Sequence, residues 1–147
     1  MSEDIEALIY EIKAIIDEYE NFDSSNNDVM GLHSLSQRLH CKLTTFSQRI
    51  MEIGKIATDH ERQWTVNVRK ERERLLDDGI FSAVNRAQSK AEANYIETKG
   101  NYIEYENLYE RMKQYAKAAS ETGQDIRSHI SSLRKEKDYD QYTNFHT

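Results

Sequence analysis

Apolar residues recur along the start of the chain at the spacing of one helix face. The positions repeating at intervals of three and four residues are Ile5, Leu8, Ile9, Ile12, Ile15, Ile16 and Tyr19. This pattern predicts an acidic amphipathic helix over residues 1–22, with Ser2 as its N-cap. A run of aspartate, serine and asparagine then interrupts the pattern. Residues 23–28 are therefore expected to form a polar linker whose last residues cap the next helix.

A second, longer apolar series follows the linker. Its members, spaced close to a heptad repeat, are Leu32, Leu35, Leu39, Leu43, Phe46, Ile50, Ile53, Ala57, His60 and Trp64. One stutter near Leu39 interrupts the repeat. The series predicts a helix over residues 29–76, which the turn sequence Asp77-Asp78-Gly79 is expected to end.

The third series has the most regular repeat in the chain. One heptad position holds Val84, Ala91, Thr98, Tyr105, Met112, Ala119, Ile126 and Leu133, and the other holds Tyr95, Tyr102, Tyr109, Ala116, Gly123 and Ile130. This 4-3 repeat predicts one helix over residues 82–137 that packs as a coiled coil. Gly100 lies off the seam. Residues 138–147 have no usable period and are expected to be a flexible tail.

Together these series predict an all-α fold, a long antiparallel helical hairpin or coiled coil with a shorter N-terminal helix. Two helices alone bury little surface, so the hairpin needs the first helix as a third layer or further copies of the chain. A homo-oligomer is expected, and the repeat would serve pairing within one chain or between chains equally well. The residues predicted to form oligomer contacts are Tyr95, Tyr102, Tyr105, Tyr109, Met112, Ile126, Ile130 and Leu133.

Composition and charge narrow the class of protein. The 147 residues include no proline, which favours long helices because an interior proline costs a helix about 3 kcal/mol. No apolar run approaches the roughly 18 residues of a membrane span, and the acidic start is unlike a signal peptide. The protein is therefore expected to be soluble and cytoplasmic, with no membrane partner. Residues 1–28 carry nine acids and one base, which is typical of either an arm that meets a basic partner or solvated helix faces.

Sequence motifs of enzymes do not occur in the chain. P-loop, GxGxxG, GxSxG and HExxH patterns are all missing. His33 and His40 share a helix face beside Cys41, but a metal site needs further ligands that the sequence does not supply. His60 falls on the heptad series and is expected to pack there. The chain is predicted to be no enzyme, with no cofactor, metal or small-molecule substrate.

A basic cluster near the end of the second helix is the strongest functional candidate. Its members, with an adjacent aromatic residue, are Arg62, Trp64, Arg69, Lys70, Arg72 and Arg74. Guanidinium groups along one side of a helix can contact a phosphate backbone, and an aromatic ring can stack on a base. The interleaved Glu71 and Glu73 leave open the alternative of a solvated face with ion pairs within the helix.

The layout of residues 29–137 resembles that of phage recombination mediators of the UvsY type. A short acidic helix precedes a long helix that ends in the basic stretch DHERQWTVNVRKERER, and a returning helix closes with DIRSHISSLRKE. The resemblance implies a homo-oligomeric ring that binds single-stranded DNA and helps to load a RecA-like recombinase. It assigns DNA binding to Arg62, Arg69 and Lys70. It assigns oligomer formation to Ile126, Ile130 and Leu133.

Three functional hypotheses follow. The chain is predicted to be a phage-encoded, non-enzymatic protein that binds single-stranded DNA as a recombination or replication accessory factor. The alternative is a structural or adaptor coiled coil, such as a virion component, whose acidic first helix docks on a protein partner while the basic run is solvated. A third hypothesis is an inhibitor of a host nucleic-acid enzyme whose acidic face mimics phosphate.

Overall fold

The computed structural model describes the backbone of residues 2–22 and 28–146, and the side chains of residues 3–22 and 28–138. Within these ranges the chain forms four helices and no strand, so the all-α prediction is confirmed. The helices are α1 (Ser2–Glu20), α2 (Val29–Asp77), α3 (Val84–Asn94) and α4 (Ile96–His146). Most of the predicted linker, residues 23–27, lies outside the described residues.

Both ends of α2 follow from local sequence signals. The Asp28 side chain accepts a hydrogen bond of 2.9 Å from the backbone N–H of Gly31, which makes Asp28 the N-cap. At the other end, Gly79 adopts a left-handed φ of 71°. Its N–H and that of the following residue donate to carbonyls of the last helical turn. These two bonds form a Schellman motif, which ends α2 at the predicted turn.

The third predicted helix is interrupted at Tyr95, between α3 and α4. Tyr95 leaves the helical conformation with φ −115° and ψ 30°, and its N–H donates to the carbonyl of Glu92, three residues back. The prediction of one helix over residues 82–137 is therefore wrong at this point. A heptad repeat that stays in phase across a break of one residue carries no sign of the break. α4 then runs as a helix to His146, into the segment predicted to be a tail.

One compact unit comprises Met1–Arg49 and Gln114–Thr147, where α1, the start of α2 and the end of α4 pack together. The Tyr115 hydroxyl of α4 donates to the carbonyl of Ile9 in α1, and the Tyr115 ring meets Phe46 of α2 edge to face. The buried apolar residues of this unit are Ile5, Ile12, Ile15, Leu32, Leu35, Leu39, Phe46, Ala119, Ile126, Ile130 and Leu133. α1 is thus the third layer that the hairpin was predicted to need.

The other compact unit is Ile50–Lys113, which holds the end of α2, all of α3 and the start of α4. A buried cluster of this unit consists of Val68, Leu75, Ala87 and Ala91. The partly buried residues packed against it are Trp64, Leu76, Phe81 and Tyr95. The His60 ring stacks on Tyr105 with 4.9 Å between centroids, and Trp64 stacks on Tyr102. His60 precedes Trp64 on α2, whereas its partner Tyr105 follows Tyr102 on α4. The two helices are therefore antiparallel, as predicted.

The heptad seam of α4 is filled from within the chain. Met112, Ile126, Ile130 and Leu133 are buried, with at most 8% of each residue exposed. The four seam tyrosines predicted to form oligomer contacts are each partly buried. Pairing along the seam is therefore intramolecular, and these residues already have partners in their own chain.

Candidate nucleic-acid interface

The candidate interface lies on the part of α2 that belongs to the unit Ile50–Lys113. The six residues that the sequence singled out fall into two groups. Three of them are exposed on α2 with at most one ion pair, of 4.0 Å, and the other three stack on, hydrogen bond to or form closer ion pairs with side chains of the unit. The first group is Arg62, Arg69 and Lys70. The second group is Trp64, Arg72 and Arg74.

The exposed cations point away from the core of their unit. The Arg62 side chain is 72% exposed, and its ion-pair partner, Asp59, is 4.0 Å away. Arg69 and Lys70 are exposed and form no ion pair or side-chain hydrogen bond within the described part of the chain. Since Arg62 and Arg69 are one heptad apart, they lie on nearly the same side of the helix. These three charges are available to an external anion.

Lys55, which was not among the predicted site residues, extends this line of cations. Lys55 is exposed and precedes Arg62 by seven residues, the interval that separates Arg62 from Arg69. At a helical rise of 1.5 Å per residue, Lys55, Arg62 and Arg69 follow one another at steps of about 10.5 Å. The heptad interval was the signal that could have revealed Lys55, which lies outside the dense basic run. We call Lys55, Arg62, Arg69 and Lys70 the basic strip.

Two of the predicted cations are paired with neighbours. The Arg74 guanidinium forms ion pairs with Glu71 and Asp78. Hydrogen bonding to Arg74 holds the pKa of Glu71 below its ordinary value, and the same contact raises the pKa of Arg74. The Arg72 guanidinium donates to the amide oxygen of Gln88 in α3 at 3.1 Å. The ion pairs of Arg74 thus lie along α2 and its C-terminal turn, and the hydrogen bond of Arg72 joins α2 to α3.

Trp64 faces the interior rather than the basic strip. Its ring lies 5.9 Å from that of Tyr102 at an interplanar angle of 23°, and the Lys99 ammonium is 5.6 Å from its centroid. The indole Nε1 is buried and has no hydrogen-bond partner among the described residues. Two residues along a helix turn a side chain by about 200°, so Trp64 and Arg62 point in different directions. Trp64 is consequently not placed to stack on a base held by Arg62.

The acids of α1 meet bases of α2 in the same unit. Glu18 forms two hydrogen bonds, of 2.7 and 3.1 Å, with the guanidinium of Arg38, and Glu11 lies 2.7 Å from Lys42. Hydrogen bonding to Arg38 lowers the pKa of Glu18 and raises that of Arg38. Two acids of α1 are therefore paired with bases of the same chain. Acids that are paired in this way are less available to dock a protein or to mimic phosphate.

The three histidines that the sequence singled out lie on α2, and two of them contact other side chains. The Arg134 guanidinium donates to Nε2 of His33 at 2.8 Å, since arginine has no acceptor. His60 packs in the seam, as expected, and His40 is exposed beside the exposed thiol of Cys41. No three His, Cys, Asp or Glu side chains are grouped to hold a metal ion among the residues whose structure is described.

Comparison with known proteins gives no family for this chain. No protein-family model, characterised protein or solved structure matches it. In the described part of the chain, no helix combines the length and apolar character that a bilayer crossing demands. What the fold defines is the class: an all-α protein in which a long antiparallel helix pair is joined by a shorter N-terminal helix.

Proposed function

We propose that this chain is a non-enzymatic helical protein that binds single-stranded DNA through the basic strip of α2. In this proposal it acts as a phage-encoded accessory factor in recombination or replication, with a RecA-like recombinase as a partner. The observation that carries the proposal is the exposure of Lys55, Arg62, Arg69 and Lys70 along one helix. The resemblance in layout to UvsY-type mediators supports the accessory role.

The physical case for a nucleic acid rests on the strip's charge and spacing. Cations set at regular intervals along a helix can follow a repeating phosphate chain, and each phosphate that they neutralise releases counterions. Contacts from such cations to phosphates position a strand and carry no sequence information. Exposed Asp59 and Glu73 lie among the cations and limit the affinity of one copy. Several strips acting together in a homo-oligomer would raise it.

The test compares two triple variants with the same change in charge. Replacing the strip residues, as Arg62→Ala/Arg69→Ala/Lys70→Ala, should weaken binding to a labelled single-stranded oligonucleotide in fluorescence anisotropy. It should also reduce the slope of log affinity against log salt by about 2, at roughly 0.7 per lost phosphate contact. The control is Lys13→Ala/Lys90→Ala/Lys117→Ala, which removes three exposed cations elsewhere.

Equal binding curves for the strip variant and wild type would overturn the proposal. So would equal losses in the two triple variants, because net charge alone would then explain the binding. Circular dichroism of each variant establishes that the helices are intact before the affinities are compared.

A second candidate function is a structural or adaptor helical protein with no nucleic-acid role. The observation that favours it is an apolar stripe on α4, where Ile96 and Ile103 are 66% and 39% exposed and lie seven residues apart. Gly100 stands between them on the same side of the helix, with open space around it. Such a stripe is typical of a helix that meets another helix, in a second copy or in a different protein.

A further inference from the structure

A groove lies beside the basic strip, within the unit Ile50–Lys113. It has a volume of about 530 Å³ and is bordered by α2 on one side and by the Tyr109 ring of α4 on the other. Two members of the strip, Lys55 and Arg62, line it. The groove is open to solvent, and its size lies within the range of small-molecule and nucleotide sites.

The lining of the groove combines the chemical groups that an unstacked base requires. Met51, which is 63% exposed, and Tyr109 supply apolar and aromatic surface. Asp59 supplies a carboxylate that can accept hydrogen bonds from the amino group of a base. Lys55 and Arg62 are cations suited to the phosphates on either side of such a base. Aromatic surface flanked by cations is the usual arrangement in proteins that bind single strands.

The position of Tyr109 depends on a glycine. A Cβ atom built on Gly54 would lie 2.9 Å from the Tyr109 ring, so the ring approaches the backbone of α2 more closely than any other residue would permit. The Lys113 ammonium lies 4.6 Å from the Tyr109 ring centroid and 3.1 Å from Glu110. The Lys113 side chain is 45% exposed, so a base can take its place against the ring without disturbing the core.

We infer that this groove is a base-binding subsite, in which Tyr109 and Met51 hold one unstacked base of a single strand while Lys55 and Arg62 bind its flanking phosphates. The inference rests on the proposed function and deepens it. The strip alone provides affinity for any phosphate backbone, whereas the groove would make the protein prefer a strand that has bases free to leave the stack. Tyr109 takes the role that the sequence analysis gave to Trp64.

The test compares an oligodeoxycytidine with an abasic oligonucleotide of equal length and charge, using fluorescence anisotropy at one low salt concentration. Wild type should bind the oligodeoxycytidine about tenfold more tightly, as expected for one stacked base. Tyr109→Leu should remove most of this preference and leave the affinity for the abasic strand unchanged. Tyr109→Phe keeps the ring and should keep the preference.

Two further variants guard against loss of the fold. Met51→Ala changes an exposed side chain and should reduce the preference a few-fold without disturbing the helices. Tyr10→Leu changes a tyrosine that is 76% exposed in the other unit and should leave both affinities as they are in wild type.

The outcomes separate the subsite from the function on which it rests. Equal binding of both strands by wild type would overturn the subsite and leave the basic strip as a backbone-binding surface. A preference that survives both Tyr109→Leu and Met51→Ala would likewise overturn it, since the base would then lie elsewhere. Failure of wild type to bind either strand would overturn the proposed function and the subsite together.

Discussion

At the scale of single residues, three glycines of this chain differ in backbone conformation and in the space around them. Gly79 has a φ of 71°, which a side chain rarely adopts, and it ends α2. Gly54 is held by the close approach of Tyr109. Gly100 lies inside α4 with no atom within 4 Å of a Cβ that would be added there. The first two are therefore required by the structure, and the third is not.

This difference predicts opposite effects of the same substitution. Gly100→Ala should raise the free energy of unfolding by about 0.5–1 kcal/mol, because alanine loses less conformational freedom in a helix. Gly79→Ala should lower it by about 1–2 kcal/mol, because a Cβ is strained in the left-handed conformation. Urea unfolding followed by circular dichroism measures both. A Gly100→Ala protein less stable than wild type would contradict a continuous, open helix at residue 100.

At the scale of helices, the sequence predicted which faces are buried but not what buries them. The apolar series of α1 correctly marked Ile5, Ile12 and Ile15 as core residues, because burial on a helix follows its period. The acidity of α1 left open whether bases contact this helix or whether its acidic face is solvated. That Arg38 and Lys42 of α2 supply them depends on how the chain folds back, which no local pattern encodes. The break at Tyr95 was not predicted, because a heptad repeat that stays in phase indicates which face is buried and does not indicate whether the helix is continuous.

The pairing of α1 with α2 predicts a dependence of stability on pH. The pKa of Glu18 is lowered in the folded chain by its hydrogen bonds to Arg38. Its contribution to stability is therefore present above the ordinary carboxyl value of 4.5 and is lost as the pH falls through the lower, folded pKa. Glu18→Gln should be less stable than wild type near neutral pH, and this difference should shrink below about pH 4.5.

Thermal unfolding at a series of pH values measures that difference. Glu104→Gln is the matched control, since Glu104 is exposed and forms no ion pair within the part of the chain that is described. It should track wild type at every pH. A gap between wild type and Glu18→Gln that persists unchanged in acid would contradict a role for the Glu18 charge.

At the scale of the whole molecule, periodicity left the pairing of the long helices undecided. A heptad repeat requires that a residue be buried, and the burying surface can belong to the same chain or to another. Residues such as Met112 and Ile126 are covered by their own chain, so the repeat that suggested an oligomer was satisfied without one. Exposed apolar residues remain off the repeat, among them Ile96 and Ile103. The candidate site shows the same limit. Arg74 and Trp64 were assigned to it from their residue types and their place in the basic run, whereas the direction of each side chain depends on the fold.

If the stripe on α4 mediates self-association, Ile96→Gln/Ile103→Gln should reduce the molar mass found by light scattering on a sizing column. The change exposes no core, since both side chains already face solvent, so helicity should be retained. Tyr10→Gln/Met30→Gln alters two residues that are at least 76% exposed in the other unit and should leave the mass unchanged. A wild-type chain that is monomeric at high concentration, or an oligomer that tolerates the α4 change, would contradict this role.

The stacking of Trp64 on Tyr102 has a further consequence. Trp64 is the sole tryptophan of the chain, and its indole lies within the unit Ile50–Lys113. Excitation at the red edge of protein absorbance thus selects one chromophore, whose emission reports on the contact between α2 and α4 within this unit. The protein has a built-in optical probe for that contact. The other unit contains no tryptophan, so its unfolding must be followed by a different signal.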